Sequence, residues 1–249
     1  MILETGELVA QRNRLTKQEI CQMPRDFSTR FTGWSFVAAA IMLWGGWMLM
    51  PTHIGSFFET GDFARVYENL RWWIWSFRPH LFGMSVTAIA LVALASLLTR
   101  SEARVVIWPG AAVATAGIFV GALGAAFYYH HGAWGAVDMN GKSTVEIRSF
   151  VEALRMDTEY VTCLVRFGRV FSGLGLLVLG FGLIKWKLLP VWSGSVAIVI
   201  GLAAMALTML LPDHMSLYLP VFHLKSLWLL ATGGVILRRG LGAAAESGM

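Results

Sequence analysis

Charged side chains are scarce in this sequence: only 14% of the 249 residues are charged, against about 25% in an average soluble domain. Hydrophobic residues make up 56% of the chain, and the mean hydropathy is +0.61. So few charges cannot cover the surface of a 27.4 kDa protein in water. The composition excludes an ordinary soluble fold and predicts a protein whose surface mostly contacts lipid.

Cysteine is nearly absent. Cys21 and Cys163 alone exclude a disulfide-stapled module and every Cys-rich zinc or iron–sulfur pattern. No H-x-x-x-H or H-E-x-x-H spacing occurs either, so no local motif identifies a metal. The formal net charge of +5 comes mostly from Lys and Arg beside apolar segments, which fits membrane topology, and we expect no nucleic-acid partner.

Six apolar runs are long enough to cross a bilayer core of about 30 Å as helices. The fourth run reaches normal length only with residues 160–169, which would place Arg166 and Arg169 at the lipid–water boundary. The sequence therefore predicts an all-α fold, a polytopic membrane helix bundle with about six transmembrane helices and amphipathic interfacial helices on the outer side. The runs are Gly33–Pro51, His80–Thr99, Val105–Tyr129, Val170–Ile184, Val191–Leu211 and Leu217–Leu237.

The runs divide the chain into three regions. Residues 1–32 are expected to form a cytoplasmic tail with a short surface helix, because Thr16 to Glu19 has the form of a capping box. Residues 33–237 form the six-helix domain, and residues 238–249 form a cytoplasmic C-terminal tail. The outer loops of the domain are residues 52–79 and 130–169, both long enough to contain helices.

The second outer loop carries clear local signals. Gly132, Gly135 and Gly141 predict a glycine-rich turn at its start. Ser143 and Glu146 then have the spacing of a capping box. From Glu146 we expect one amphipathic helix that runs unbroken into the fourth span.

The distribution of Lys and Arg predicts the orientation of the bundle. The segments assigned to the inner side hold eleven basic residues and six acids, whereas the opposite segments hold eight basic residues and nine acids. Because short, positively charged loops resist translocation, both termini are predicted to be cytoplasmic. We expect a multi-pass protein of the cell inner (cytoplasmic) membrane.

Histidine provides the first candidate site. All six histidines fall at the predicted outer ends of spans or in the outer loops. Histidine is the commonest metal ligand and a usual axial ligand of haem, so one face rich in imidazoles predicts a metal or haem site. His80 and His223 form the best pair. The other candidate ligands are His130, His131, His214 and Asp213.

Cationic residues near the same face form the second candidate site. Arg78 precedes His80 closely, Arg166 and Arg169 are one helical turn apart, and Lys225 lies inside the sixth span. A lysine at that depth is costly, so it should face the bundle interior. These four residues are predicted to bind a cofactor, by positioning haem propionates, quinol or substrate.

Three functions remain open on the sequence alone. The first is an integral membrane subunit of a redox or energy-converting complex, such as a membrane oxidoreductase in electron transport, that binds haem b or copper near the outer face. The second is a transporter or a zinc-dependent membrane-embedded hydrolase, with Asp213 and His214 as the first pair to test. The third is a cofactor-free structural subunit. Besides the lipid bilayer, we expect other membrane or periplasmic subunits, and quinol, as partners.

Overall fold

The computed structural model describes residues 27–51, 54–98, 102–211 and 215–239. In these ranges the chain forms eight helices and no strand. Several predicted features lie outside these ranges: the surface helix of the N-terminal tail, the turn that carries Asp213 and His214, and residues 240–249 of the C-terminal tail. The helices are α1 (Phe27–Met48), α2 (Asp62–Glu68), α3 (Leu70–Leu97), α4 (Arg104–Met139), α5 (Thr144–Ala153), α6 (Arg155–Lys185), α7 (Val191–Leu210) and α8 (Met215–Arg239).

Six of the helices, α1, α3, α4, α6, α7 and α8, are long and apolar enough to cross a membrane. Only 33% to 50% of the most apolar window of each helix is buried inside the protein, so much of its apolar surface faces outward. Such a surface is stable in contact with lipid rather than water. The prediction of an all-α polytopic helix bundle is confirmed, and the chain is a multi-pass membrane protein.

Glycines spaced by seven residues let α4, α6 and α7 pack backbone against backbone. Seven residues are nearly two helical turns, so such glycines form a stripe along one face. A Cβ at Gly110 of α4 would lie 2.8 Å from the backbone nitrogen of Leu179 in α6, and one at Gly173 would lie 2.8 Å from the Gly201 oxygen in α7. Small residues of this kind allow close helix approach in membranes. The paired stripes are Gly110 and Gly117 with Gly168 and Gly175, and Gly173 and Gly180 with Gly194 and Gly201.

A second set of glycines joins α1 to α3 and to α8. A Cβ at Gly46 of α1 would lie 2.7 Å from the backbone nitrogen of His80, and one at Gly83 of α3 would lie 2.8 Å from that of Leu43. A Cβ at Gly233 of α8 would lie 2.8 Å from the Gly33 oxygen. The bundle therefore contains two glycine-packed triads. In the first, α4 and α7 pack on α6; in the second, α3 and α8 pack on α1.

The end of the bundle that carries α2 and α5, called here the α2–α5 end, has its own aromatic core. Phe58, Phe63, Trp73 and Phe77 are buried there, separately from the main core inside the bundle. The Phe58 and Phe63 rings stack with centroids 5.4 Å apart, and Trp73 lies 4.7 Å from Phe77. This core holds the short helices against the ends of α3 and α4.

The prediction of a turn at Gly132 and Gly135 is wrong. Helix α4 continues through both residues to Met139, ten residues beyond the predicted end of the third span at Tyr129. A Cβ at Gly132 would lie 2.8 Å from Cζ2 of Trp73, and one at Gly135 would lie 2.7 Å from Cε1 of Phe63. These glycines make room for aromatic rings rather than for a turn. The chain turns at Gly141, whose φ of +75° is the conformation that glycine adopts readily.

The predicted capping box is confirmed. Ser143 Oγ accepts from the Glu146 backbone, and the Glu146 carboxylate accepts from the Ser143 backbone at 2.9 Å. The expected unbroken helix is wrong, because α5 and α6 are separate helices that meet at Leu154. Span limits also differ: α3 begins at Leu70 rather than His80, and α6 at Arg155 rather than Val170. The charged residues before His80 and Val170 limit the apolar runs in the sequence, but the helices continue through them.

Candidate functional site

A cavity of about 200 Å³ lies inside the bundle, between the two glycine-packed triads. Its wall combines α1, α3 and α8 with α4 and α6, and the segment that follows α1 contributes Ile54, Gly55 and Ser56. We call it the central cavity. It reaches from the α2–α5 end, at Trp73 and Tyr128, to the level of Met84 and Lys225, well inside the spans.

The wall of the central cavity is largely apolar and aromatic. Trp73, Phe77, His80 and Met84 follow one another along one face of α3 at helical spacing. Trp47 of α1 and Phe222 of α8 stand opposite, with ring centroids 5.4 Å apart. On the α4 and α6 side, glycines replace side chains at several lining positions. The lining glycines of these two helices are Gly117, Gly121 and Gly168.

The cavity brings together three of the residues singled out in the sequence: His80, Arg169 and Lys225. The Arg169 guanidinium carbon lies 4.4 Å from the centroid of the Tyr218 ring, a cation–π contact across α6 and α8. Lys225 of α8 and His80 of α3 line the same cavity. Among the lining residues that the structure describes there is no Asp or Glu. The charges facing this cavity are therefore positive.

His80 has a buried polar atom without a partner. Nδ1 of the ring is buried and makes no hydrogen bond within the described residues. The rings of Trp47 and Phe222 enclose it, with centroids at 6.3 Å and 5.8 Å. Buried polar atoms are nearly always hydrogen-bonded. Nδ1 has almost no accessible surface, so it is enclosed by the protein and does not open into the cavity.

Trp73 also has a buried ring nitrogen that is unpaired within the described residues. That atom faces α4, since a Cβ at Gly132 would lie 3.2 Å from it. The indole nitrogen is thus directed at the helix backbone.

His223 does not line the cavity. Nε1 of Trp44 donates a hydrogen bond of 2.8 Å to its Nδ1. An indole can only donate, so Nδ1 accepts and the proton of the neutral ring is on Nε2. A metal-bound histidine instead donates from its second nitrogen. In this arrangement Nε2 of His223 carries the proton, so it is not free to bind a metal as the predicted His80 and His223 pair requires.

The histidines of α4 lie elsewhere. His130 is exposed and its ring centroid is 5.2 Å from that of His131, whose Nδ1 lies 3.2 Å from the Phe127 oxygen. Neither ring lines the central cavity. Within the described ranges no group of three or more His, Cys, Asp or Glu is placed to hold a metal ion.

The two remaining cationic candidates are also outside the cavity. Arg78 is exposed at the α2–α5 end, with its guanidinium carbon 5.2 Å from the Trp75 ring. Arg166 donates a hydrogen bond of 2.6 Å to the backbone oxygen of Thr208, so it joins α6 to the end of α7.

A hydrogen-bond network at the α2–α5 end of the cavity was missed by sequence reasoning. The backbone oxygen of Ser56 accepts from the Tyr128 hydroxyl at 2.6 Å and from the Thr162 hydroxyl at 3.2 Å. The two hydroxyls are 3.0 Å apart. The nearest two of these groups, Tyr128 and Thr162, are 34 positions apart along the chain, and no local pattern in the sequence signals their meeting. They fasten the segment after α1 over the cavity.

No protein-family model matches the chain, and neither a curated protein nor a solved structure matches it. The chemistry of the cavity is defined by its own residues. Lys225 and Arg169 supply positive charge, whereas most of the remaining wall is apolar or aromatic. Such a combination suits a ligand with one anionic group and an apolar body.

Proposed function

We propose that this membrane protein binds a small organic anion in the central cavity and transports it across the bilayer. The observation that carries the proposal is the charge of the cavity. Lys225 and Arg169 face an apolar space whose described lining contains no carboxylate. A cavity of about 200 Å³ favours a small molecule over a macrocycle such as haem.

The energetics support an anionic ligand. A lysine at the centre of a bilayer costs about 2.5–3.5 kcal/mol on insertion scales, and such residues mark substrate or ion pathways. A bound anion would offset this cost by pairing with the ammonium group in a low-dielectric site. The Arg169 guanidinium, held on the Tyr218 ring, adds a second positive charge on the opposite wall.

The side from which the ligand enters follows from the topology that we propose. The inner membrane is the proposed location, with both termini cytoplasmic, because Lys and Arg are concentrated in the segments on that side. The α2–α5 end is then the non-cytoplasmic end. The central cavity lies nearer to this end, so an anion would be captured from the non-cytoplasmic side.

The test is binding and flux with a charge-removing variant. Wild-type protein in liposomes should accumulate a radiolabelled organic anion, and Lys225→Gln should reduce uptake at least tenfold. Lys185→Gln is the matched control, because Lys185 contacts Trp186 at the other end of α6, where its Nζ is 4.6 Å from the ring. Equal uptake by wild type and Lys225→Gln, with both variants folded, would overturn the proposal.

The redox hypothesis stays a prediction. Under it, the chain binds haem b or copper as a subunit of a membrane oxidoreductase, with quinol and other membrane or periplasmic subunits as partners. His80 is the candidate ligand that the cavity favours most, but His223 is engaged by Trp44. An optical spectrum and metal analysis of the purified protein test this hypothesis, and they test zinc equally.

A further inference from the structure

We infer that the end of the bundle opposite α2 and α5, called here the basic end, binds anionic phospholipid headgroups, with Arg104 and Trp108 of α4 as its best-defined contact. The basic end also carries Arg30 of α1, Lys187 in the turn after α6, and Arg238 of α8. All five side chains are exposed. The inference concerns the lipid-facing surface of the protein, so it does not depend on the proposed function.

Packing between the helices brings these residues to one end of the bundle. A Cβ at Gly33 of α1 would lie 2.6 Å from Cγ of Leu237, so the start of α1 adjoins the end of α8. The hydroxyls of Ser193 and Thr232 are 3.0 Å apart, and they join the start of α7 to the last turns of α8. The glycine stripes already place the start of α4 beside the end of α6. Both triads therefore present their basic residues toward the same side of the membrane.

Carboxylates are scarce at the basic end. Glu102 is the only Asp or Glu among its described residues. Within the described ranges, Arg104, Lys187 and Arg238 have no carboxylate at ion-pair distance, and the ammonium of Lys185 contacts the Trp186 ring at 4.6 Å instead. The α2–α5 end differs, because three of its basic residues pair with Asp or Glu. These paired residues are Arg65, Lys142 and Arg155. Basic residues without carboxylate partners beside an apolar surface attract anionic lipid.

The order of side chains along α4 matches the layers of a lipid monolayer. Trp108 follows Arg104 by four residues, so the two side chains share one face of the helix. The same face continues into Phe119 and Leu123, which are also exposed. A phospholipid offers its phosphate, its glycerol region and its acyl chains in this order, and tryptophan prefers the middle layer. An acidic protein segment would match only the charge, so an anionic lipid is the occupant that fits the whole face.

Helix α1 repeats the pattern. Arg30 and Trp34 are four residues apart and exposed, and the exposed side chains of Ile41 and Met48 continue the same face. Because α1 and α4 belong to different triads, the order of cation, indole and apolar side chain occurs twice around the bundle. Two such faces favour contact with a lipid annulus over a single protein partner.

Native mass spectrometry of the detergent-purified protein tests the inference. Phosphatidylglycerol and phosphatidylcholine with the same acyl chains would be added in equal amounts, and the bound lipids compared. At low salt the wild-type protein should prefer phosphatidylglycerol by about fivefold or more, the factor that one basic residue near a headgroup supplies. The preference should fall as salt is raised, because salt screens the attraction. Equal binding of both lipids at low salt would overturn the inference and leave an acidic protein segment as the occupant.

Substitution at Arg104 tests where the lipid binds. Arg104→Gln should reduce the preference about fivefold, whereas Arg104→Lys should keep it, because the charge is retained. Arg155→Gln is the matched control, since this exposed arginine of the α2–α5 end pairs with Glu152 and Glu159. It should bind both lipids as wild type does. A preference like that of wild type in Arg104→Gln, or an equal loss in Arg155→Gln, would overturn the assignment to the basic end.

A second readout needs no variant. Acylation by a neutral amine-reactive reagent would be followed at Lys187 and Lys142 of wild-type protein in nanodiscs. Lys187 should react more slowly, by about twofold or more, in an equal mixture of the two lipids than in phosphatidylcholine alone, because a bound headgroup covers its ammonium. Lys142 pairs with Glu146 at the α2–α5 end and should react equally in both. An equal rate at Lys187 in the two membranes would overturn the inference.

Discussion

Replacing Gly175 by alanine tests whether backbone contact between α4 and α6 holds the bundle together. The new Cβ would lie 2.6 Å from both Cα and Cβ of Ala114, and closer still to its backbone nitrogen. Carbon atoms pack at about 3.5–4.0 Å, so the helices would have to separate by about 1 Å. Gly175 does not line the central cavity. The substitution therefore reports on packing rather than on ligand binding.

The expected cost is the balance of two effects. Overpacking of a tight interface costs about 1–3 kcal/mol, while alanine gains about 0.5–1 kcal/mol over glycine inside a helix. We expect a net loss of about 1–2 kcal/mol. At roughly 2–4 °C per kcal/mol for a chain of this size, Tm should fall by about 5 °C.

Thermal unfolding in nanodiscs, followed by circular dichroism, provides the measurement. Gly234→Ala is the matched control, because a Cβ at Gly234 of α8 meets no atom within 4 Å. Its Tm should stay the same or rise slightly. Equal stability of the Gly175→Ala and Gly234→Ala variants would refute the reasoning that glycine contact sets the α4 and α6 distance.

Three further predictions concern individual hydrogen-bonded groups. Trp44→Phe leaves Nδ1 of His223 without its donor, and should lower the free energy of unfolding by about 1–3 kcal/mol. The measurement is Tm, which should fall in Trp44→Phe and should not fall further when His223→Phe is added in a double variant. Tyr128→Phe removes the 2.6 Å hydrogen bond to the Ser56 oxygen, and should raise the rate of hydrogen exchange at residues 56–58 without loss of Tm above about 2 °C. The pKa of the Glu146 carboxylate lies below its usual 4.5, because the carboxylate accepts hydrogen bonds from the backbone and side chain of Ser143. The capping box should therefore persist at neutral pH and be lost as pH falls through that lowered pKa. Hydrogen-exchange protection in α5 that stays constant down to pH about 2 would contradict this prediction.

Part of the fold could be predicted because its signals are local. A run of apolar residues predicts a span wherever it lies, and Ser143 and Glu146 are only three positions apart. The ends of α3 and α4 could not be predicted in this way. Gly132 reads as a turn in sequence, and only the Trp73 ring packed against it shows that it belongs to a helix.

The site was predicted in part for the same reason. Lys225 stands out because a charge inside an apolar run is costly wherever the helix packs. That Lys225 and His80 would line one cavity, and that His223 would be held by Trp44, depends on the order of α1, α3 and α8 around the bundle. Hydropathy does not encode this order, so imidazoles that share one end of the bundle need not share one site.

The two glycine-packed triads have a mechanical consequence. Within each triad backbones touch, so its three helices resist separation and are expected to move as a single body. Across the boundary, side chains such as Met84 and Phe222 line the central cavity and can change rotamer, while Trp228 of α8 donates a hydrogen bond of 2.8 Å to the Ser193 backbone oxygen of α7. Under the proposed transport function, rocking of one body against the other would open the central cavity alternately toward each aqueous phase while both bodies keep their internal packing.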